Sequence, residues 1–162
     1  MVRKAKPLDW DKIKAIYING INTQNATFER VENIKDYASW ISSKIEDSCF
    51  VVELDKEVVG WASLSPVSSR CVYSGVAEVS VYVDPTVGGK GIGSRLLGAL
   101  VDYAENHNIW TIQSGIFPEN ESSIALHQKF GFRKVGYREK IGKMNGVWRD
   151  NVFFERRSTT IV

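Results

Sequence analysis

The stretch best suited to chemistry is Gly88-Gly89-Lys90-Gly91-Ile92-Gly93-Ser94-Arg95, set between Asp84-Pro85 and a long apolar helical stripe. Glycines at a strand-to-helix turn let backbone N–H groups close on a phosphate, and the helix start adds partial positive charge. The cluster points to a phosphate-bearing ligand; the alternative is a flexible loop that holds nothing. Two familiar phosphate turns do not fit. A Walker loop needs its lysine after the glycines, whereas Lys90 comes before Gly91 and Gly93. A dinucleotide fingerprint counted from Gly89 or Gly91 places its third glycine at Ser94 or Leu96.

Two other side chains are candidates for moving protons. Glu78 stands directly before the apolar alternation of Val79, Val81 and Val83, where a carboxylate takes a proton directly or through water; otherwise it is a solvated strand residue or an ion-pair partner. His127 follows Ser123 by one helical turn and is either a proton donor or relay, or a structural helix histidine. His107 reads as a helix cap. Arg70 and Tyr73 are a cation and a ring suited to binding a small ligand, with Phe28, Trp61 and Trp148 as aromatic walls or core, and Arg149 as a second cation or a surface charge. Cys71 lies between Arg70 and Tyr73 but has no paired histidine to activate it. Two histidines and two cysteines, scattered without ligand spacing, give no metal site.

These residues need a frame, and 162 residues suit one domain spanning the whole chain. An apolar share of 43% is enough for a core and too high for a disordered chain. Lysine and arginine total 21 against 19 acidic residues, a balance that leaves nucleic acid without an electrostatic footprint. No apolar run approaches the roughly 18 residues of a membrane span, and the charged first residues do not read as a signal peptide. A cytoplasmic location with Cys49 and Cys71 as reduced thiols is the expectation.

The hydrophobic period then sets the elements. From Asp9 as N-cap, Trp10, Ile13, Ile16 and Tyr17 recur at helical spacing until Asn19-Gly20, and Ile34, Tyr37, Trp40, Ile41 and Ile45 form a second helical stripe beyond a loop from Asn22 to Val31. Period two follows in Cys49 to Leu54 and Val58 to Leu64, a hairpin around Asp55-Lys56-Glu57, and in Val76 to Val83, which Asp84-Pro85 ends. A central helix to Asn106 carries Ile92, Leu96, Leu97, Leu100, Val101 and Ala104 on one face. Then come a strand at Thr111 to Ile116, a short helix at Ser122 to Phe130 closed by Gly131, and strands Phe132 to Ile141 and Val147 to Phe154 about Asn145-Gly146. The expected class is α/β: a mixed sheet with helices on both faces.

The glycine cluster and this element order together resemble the GNAT N-acetyltransferases. The pyrophosphate loop of that family reads Arg/Gln-x-x-Gly-x-Gly/Ala, and Gly88, Gly91 and Gly93 stand at its patterned positions, so glycine replaces the usual Arg or Gln at the first. Asn120, Ser123, Leu126 and the turn Phe130-Gly131-Phe132 resemble the family's later CoA-contacting segment. Narrower patches, Arg70, Tyr73 and Glu78 with Ser80-Val81-Tyr82-Val83, Asn25-Ala26-Thr27-Phe28-Glu29, and Gly146-Val147-Trp148-Arg149-Asp150, resemble phosphinothricin and methionine sulfoximine acetyltransferases.

What the resemblance implies is specific. The fold would be the GNAT fold, with a mostly antiparallel sheet, and the reaction an acetyl transfer from acetyl-CoA to the α-amine of a small amino acid or analogue by direct attack, with no metal. Glu78 would be the base and His127 would stand where many relatives carry a tyrosine acid. Val81, Tyr82, Val83, Gly88, Gly89, Lys90, Gly91, Ile92, Gly93, Ser94 and Asn120 would hold the cofactor, the Val81 or Val83 amide facing the thioester carbonyl across a splayed strand. Phe28, Arg70 and Tyr73 would select the substrate, Arg70 by gripping its carboxylate. Relatives of the subfamily commonly form dimers, so a homodimer is expected. The alternatives are acetylation of an antibiotic, a polyamine or a protein N-terminus, and a non-catalytic acyl-CoA sensor, which would have no need of Glu78 and His127.

Overall fold

The computed structural model describes residues 1–162. Its strands are β1 (Val2–Lys4), β2 (Phe50–Leu54), β3 (Glu57–Pro66), β4 (Val76–Val83), β5 (Thr111–Ile116), β6 (Arg133–Met144) and β7 (Val147–Arg157), and its helices α1 (Trp10–Asn22), α2 (Tyr37–Ser42), α3 (Ile92–Asn106) and α4 (Glu121–Lys129). The strands form one sheet in the order β1-β2-β3-β4-β5-β7-β6, antiparallel throughout except for β4 beside β5. This is the mixed sheet that the period changes predict, mostly antiparallel as the family resemblance implies. No helix is long and apolar enough to cross a membrane.

Strand alternation divides the core in two. On one face Ile92, Leu96, Leu97 and Leu100 of α3 cover Val52, Ala62, Leu64, Ala77, Val79 and Ile112. On the other, Ile13 and Ile16 of α1 and Trp40 of α2 meet Val51, Val58 and Trp61. Each such large side chain contributes about 1.5–3 kcal/mol by leaving water. Along β4 the odd residues through Val83 pack toward α3 and Tyr82 packs toward α1, so Glu78, two residues from Ser80 and four from Tyr82, belongs to the α1 face.

Several elements differ from the sequence reading, each for a local reason. Strand β1 has only three residues, too few to show alternation, and is found by pairing with β2. Helix α1 runs through Asn19-Gly20 to Asn22 because Gly20 is not a stop: a Cβ there would lie 2.6 Å from the Tyr82 ring, so the glycine lets β4 approach the helix. Asp9 precedes α1 but does not cap it with its side chain, which accepts from Arg3 at 2.7 and 2.8 Å and from the Lys6 amide at 2.8 Å. The second helix is shorter than its stripe, beginning only where Asp36 accepts from the Ser39 amide at 2.7 Å. The first hairpin turns on two residues, Asp55 and Lys56, both at positive φ, rather than on three. Gly131 and Asn145-Gly146 do close α4 and the last hairpin at positive φ.

Candidate active site

The parallel strands β4 and β5 are joined only at Val76, Ala77 and Glu78, opposite Thr111, Ile112 and Gln113. Beyond Glu78, β4 stays with β3 and β5 stays with β7, so the sheet forks. The Asp84 amide donates to the Val59 carbonyl at 2.8 Å, and antiparallel alternation then turns the amides of Val81 and Val83, beyond the last β5 pair, away from β3 and toward the fork. A cavity of about 800 Å³ fills the opening, walled by Glu78, Ser80 and Tyr82 from β4, by Ser123 and His127 from α4, and by Thr27 and Phe28 from the loop after α1. Glu78 stands at the vertex, where its carboxylate accepts from the Gln113 side-chain Nε2 at 3.5 Å.

At one end of β4 the chain enters the glycine loop. Gly89 and Gly91 have φ of 79° and 68°, a region that side chains strain to enter, and Gly91 begins α3 in that conformation with no side-chain cap. The first amide in this stretch with a backbone acceptor is that of Arg95, bonded to Gly91 at 3.1 Å; those from Gly88 through Ser94 have none. A run of unpaired donors at a helix start fits a diphosphate.

His127 is buried among Phe132 and the α4 backbone, the Phe132 ring meeting it edge-on at 4.9 Å. Its Nδ1 lies 2.7 Å from the Ser123 carbonyl, which can only accept, so Nδ1 carries the proton and Nε2 is a bare acceptor with no protein partner. Burial lowers its pKa below the usual imidazole value. The ring at the cavity is therefore neutral.

The model of the acetyltransferase (GNAT) family matches residues 19–132, which include the fork, the glycine loop, α3 and α4. The chain belongs to the acetyltransferase (GNAT) family. The phosphinothricin N-acetyltransferase of Streptomyces coelicolor is 34% identical over 72% of this chain and 71% of its own. A crystal structure of a ribosomal-protein-alanine N-acetyltransferase from Brucella melitensis aligns at a TM-score of 0.88 with 29% identity, covering 98% of this chain and 99% of that one. A phosphinothricin acetyltransferase from Sinorhizobium meliloti, in complex with AcCoA, aligns at 0.86 with 29% identity over 97% and 87%. The phosphinothricin-like branch of the family is thus where this acetyltransferase sits.

Several sequence candidates land at the cavity of the acetyltransferase, others do not. Glu78, Val81, Tyr82, Asn120, His127 and Phe28 line it. The Phe28 ring meets Phe117 edge-on at 4.8 Å and rests where a Cβ on Gly142 would stand. The Tyr82 ring stacks on Trp61 at 4.8 Å and belongs to the core on the α1 side. Asn120 has its side chain committed: Oδ1 accepts from the Ser123 amide at 3.3 Å, capping α4, and Nδ2 donates to the Asn25 carbonyl at 3.1 Å. With Arg149, which donates to the Gln24 carbonyl at 2.7 Å, it straps the loop after α1 over the fork. That strap, rather than a ligand, is the partner of both groups.

Arg70 and Tyr73 are not at the cavity. They lie exposed in the β3–β4 connection, where the Tyr73 amide closes a tight turn on the Arg70 carbonyl at 2.9 Å. The chain then enters β4 at Gly75, against the Trp110 ring, and the turn leaves both side chains outside the fork. Trp61 is core, at 1% exposure, and Trp148 is exposed outside the cavity. Cys49 is buried and its thiol is pushed up to about 11 by desolvation. A cavity residue missed from sequence is Lys44, a half-buried cation on the wall. A lysine at the end of a helical stripe gives no signal of its own, since only the fold sets it beside Glu78.

Proposed function

We propose that this acetyltransferase moves the acetyl group of acetyl-CoA to the α-amine of a small amino acid or analogue of the phosphinothricin or methionine sulfoximine type. The observation that carries the reading is the fork: a carboxylate at its vertex, unpaired β4 amides along one side and a phosphate-ready loop following β4 in the chain. The relatives carrying phosphinothricin in their names, and the acetyl-CoA in the S. meliloti structure, support the donor and the acceptor class.

In this reading the amides from Gly88 to Ser94 hold the diphosphate, and the Val81 and Val83 amides donate to the thioester carbonyl as negative charge gathers on it. Acetyl-CoA supplies the activated acyl group and a thiolate leaving group. Glu78 takes the proton of the incoming ammonium, directly or through a water, so that a neutral nitrogen attacks within a ternary complex. His127 relays a proton through Nε2, its one unpartnered nitrogen, once a group reaches that buried atom; as an imidazolium acid it would have to hold charge that its burial opposes. A homodimer covers the exposed rings of Trp148 and Phe28.

The test is release of free thiol from acetyl-CoA with methionine sulfone, methionine sulfoximine, phosphinothricin and glutamate, beside spermidine and a short peptide. Fastest turnover on a free amino acid is expected. Faster turnover on spermidine or the peptide N-terminus would overturn the reading.

A further inference from the structure

An amino acid presents a carboxylate one carbon from the nitrogen that is acetylated, so a site built around Glu78 needs a cation close by. Arg70 does not reach it. Three lysine or arginine side chains line the cavity: Lys44, Arg138 and Lys143. Arg138 and Lys143 are exposed on β6, beyond β5 and β7 from Glu78, and are spread over aromatic rings, at 4.6 Å from Phe153 and 5.6 Å from Trp148. They suit a rim better than an anchor.

Lys44 is placed differently. Its backbone amide bonds to the Ile41 carbonyl at 3.0 Å, and the next residue, Ile45, bonds to Leu64 of β3 at 2.9 Å. The Ser48 hydroxyl holds the same point of β3, accepting from the Leu64 amide at 3.3 Å and donating to the Ile45 carbonyl at 2.7 Å. The lysine stem therefore leaves from a fixed base, passing Trp40 with Nζ 5.8 Å from the ring. Nζ donates to the Ser65 hydroxyl at 3.3 Å. Ser65 stands directly opposite Glu78 in the β3–β4 ladder, and directly opposed residues project to one face about 4.5–5.5 Å apart. The ammonium and the carboxylate thus share one patch of wall, and no salt bridge joins them. An ammonium has three donors, and a single neutral hydroxyl occupies one of them. Burial lowers the Lys44 pKa, while Cys49, Glu78 and Glu29 act in the opposite direction, so an anion arriving beside this half-buried ammonium is favoured by attraction and by relief of its desolvation.

We propose that Lys44 is the carboxylate anchor of the acceptor site. It holds the carboxylate of the amino acid while Glu78 faces the nitrogen, a cation and an anion side by side for a zwitterion. The inference rests on the amino-acid reading above and names the residue that makes it selective. The same pair disfavours polyamines, which would bring ammonium against ammonium.

The experiment measures steady-state kinetics with acetyl-CoA on methionine sulfone and on its carboxamide, which keeps the amine and loses the anion. Lys44→Met retains the stem against Trp40 without charge, and Lys44→Gln keeps a donor for Ser65; melting temperatures confirm that at least one is folded. For the free acid, KM should rise about tenfold to a hundredfold in the neutral variants, with kcat and the KM for acetyl-CoA nearly unchanged. The carboxamide KM should not move, and Lys44→Arg should recover part of the free-acid KM. If the wild type prefers the free acid and a folded neutral variant keeps that preference, the Lys44 assignment fails while the amino-acid reading survives. If the wild type itself favours the carboxamide over every free acid, both fail.

Discussion

Glu78 and His127 face the same cavity with opposite endowments. Glu78 is solvent-accessible, with one long hydrogen bond from Gln113, and is free to accept a proton as substrate arrives. Glu78→Gln preserves shape and removes that capacity. Turnover at neutral pH should fall by roughly 10²–10⁴-fold while calorimetry shows acetyl-CoA binding retained; near-normal turnover would return Glu78 to the role of a solvated strand residue. His127 titrates in the other sense. Its folded pKa lies below the unfolded value, so between the two the unfolded chain binds the extra proton, and stability falls as pH drops from about 6.5 through the folded value. His127→Asn cannot be protonated there. Wild type should therefore lose more melting temperature than the variant between pH 7.5 and pH 5, and equal losses would show that His127 is not the group responsible.

At the scale of elements, the loop at the head of α3 separates two kinds of glycine. Gly91 is at positive φ, where valine is strained whatever the space, so Gly91→Val should disturb the run of amides and weaken acetyl-CoA binding in calorimetry. Unchanged affinity would sink the phosphate-cradle role. Gly88 has an ordinary φ of −54° and its nearest neighbour to a Cβ is 3.9 Å away, so a side chain fits. Gly88→Arg should leave the melting temperature alone and tighten acetyl-CoA by up to about tenfold through a charge-assisted contact to phosphate. The far end of α3 is tied down by Glu105, whose pKa is lowered to about 2 by Ser158, Thr160 and Arg156. A depressed carboxylate stabilises the fold above its unfolded pKa and loses that contribution as pH falls toward the folded value. Glu105→Gln should accordingly lower the melting temperature at pH 7 and match wild type near pH 2.

For the whole molecule, the edge of the sheet is the exposed feature. Strand β6 is unpaired on its outer side, and its hairpin with β7 exposes Val135, Tyr137, Ile141, Val147 and Trp148. Long apolar edges are usually covered. Light scattering at micromolar concentration should give the mass of a homodimer, and a monomer would contradict the expectation. The interior is less forgiving: Leu97, fully buried under the sheet, should cost about 2–5 kcal/mol when replaced by alanine, read as a shift in denaturant midpoint.

The periods of β4 and α3, the turns at Asn145-Gly146 and Gly131, and the glycine loop are legible in the chain itself, because each depends on residues close together in it. So is the place of Glu78 on the inner strand. Whether β4 and β5 stay paired, and so whether a cavity exists at all, is a matter of how two strands whose partners lie 35 residues apart in sequence diverge after Glu78 and Gln113. No local pattern encodes that. The same holds for the cation. Arg70 is nearer to Glu78 along the chain than Lys44 is, yet a tight turn carries it to the surface, while the contacts of Ile45 and Ser48 with Leu64 bring Lys44 across to Ser65. His127 could be seen as a proton carrier from its type and spacing, but its neutrality follows from burial and from the carbonyl that takes its Nδ1 proton. Side-chain chemistry is local; the distances and desolvation that select among its uses belong to the folded chain.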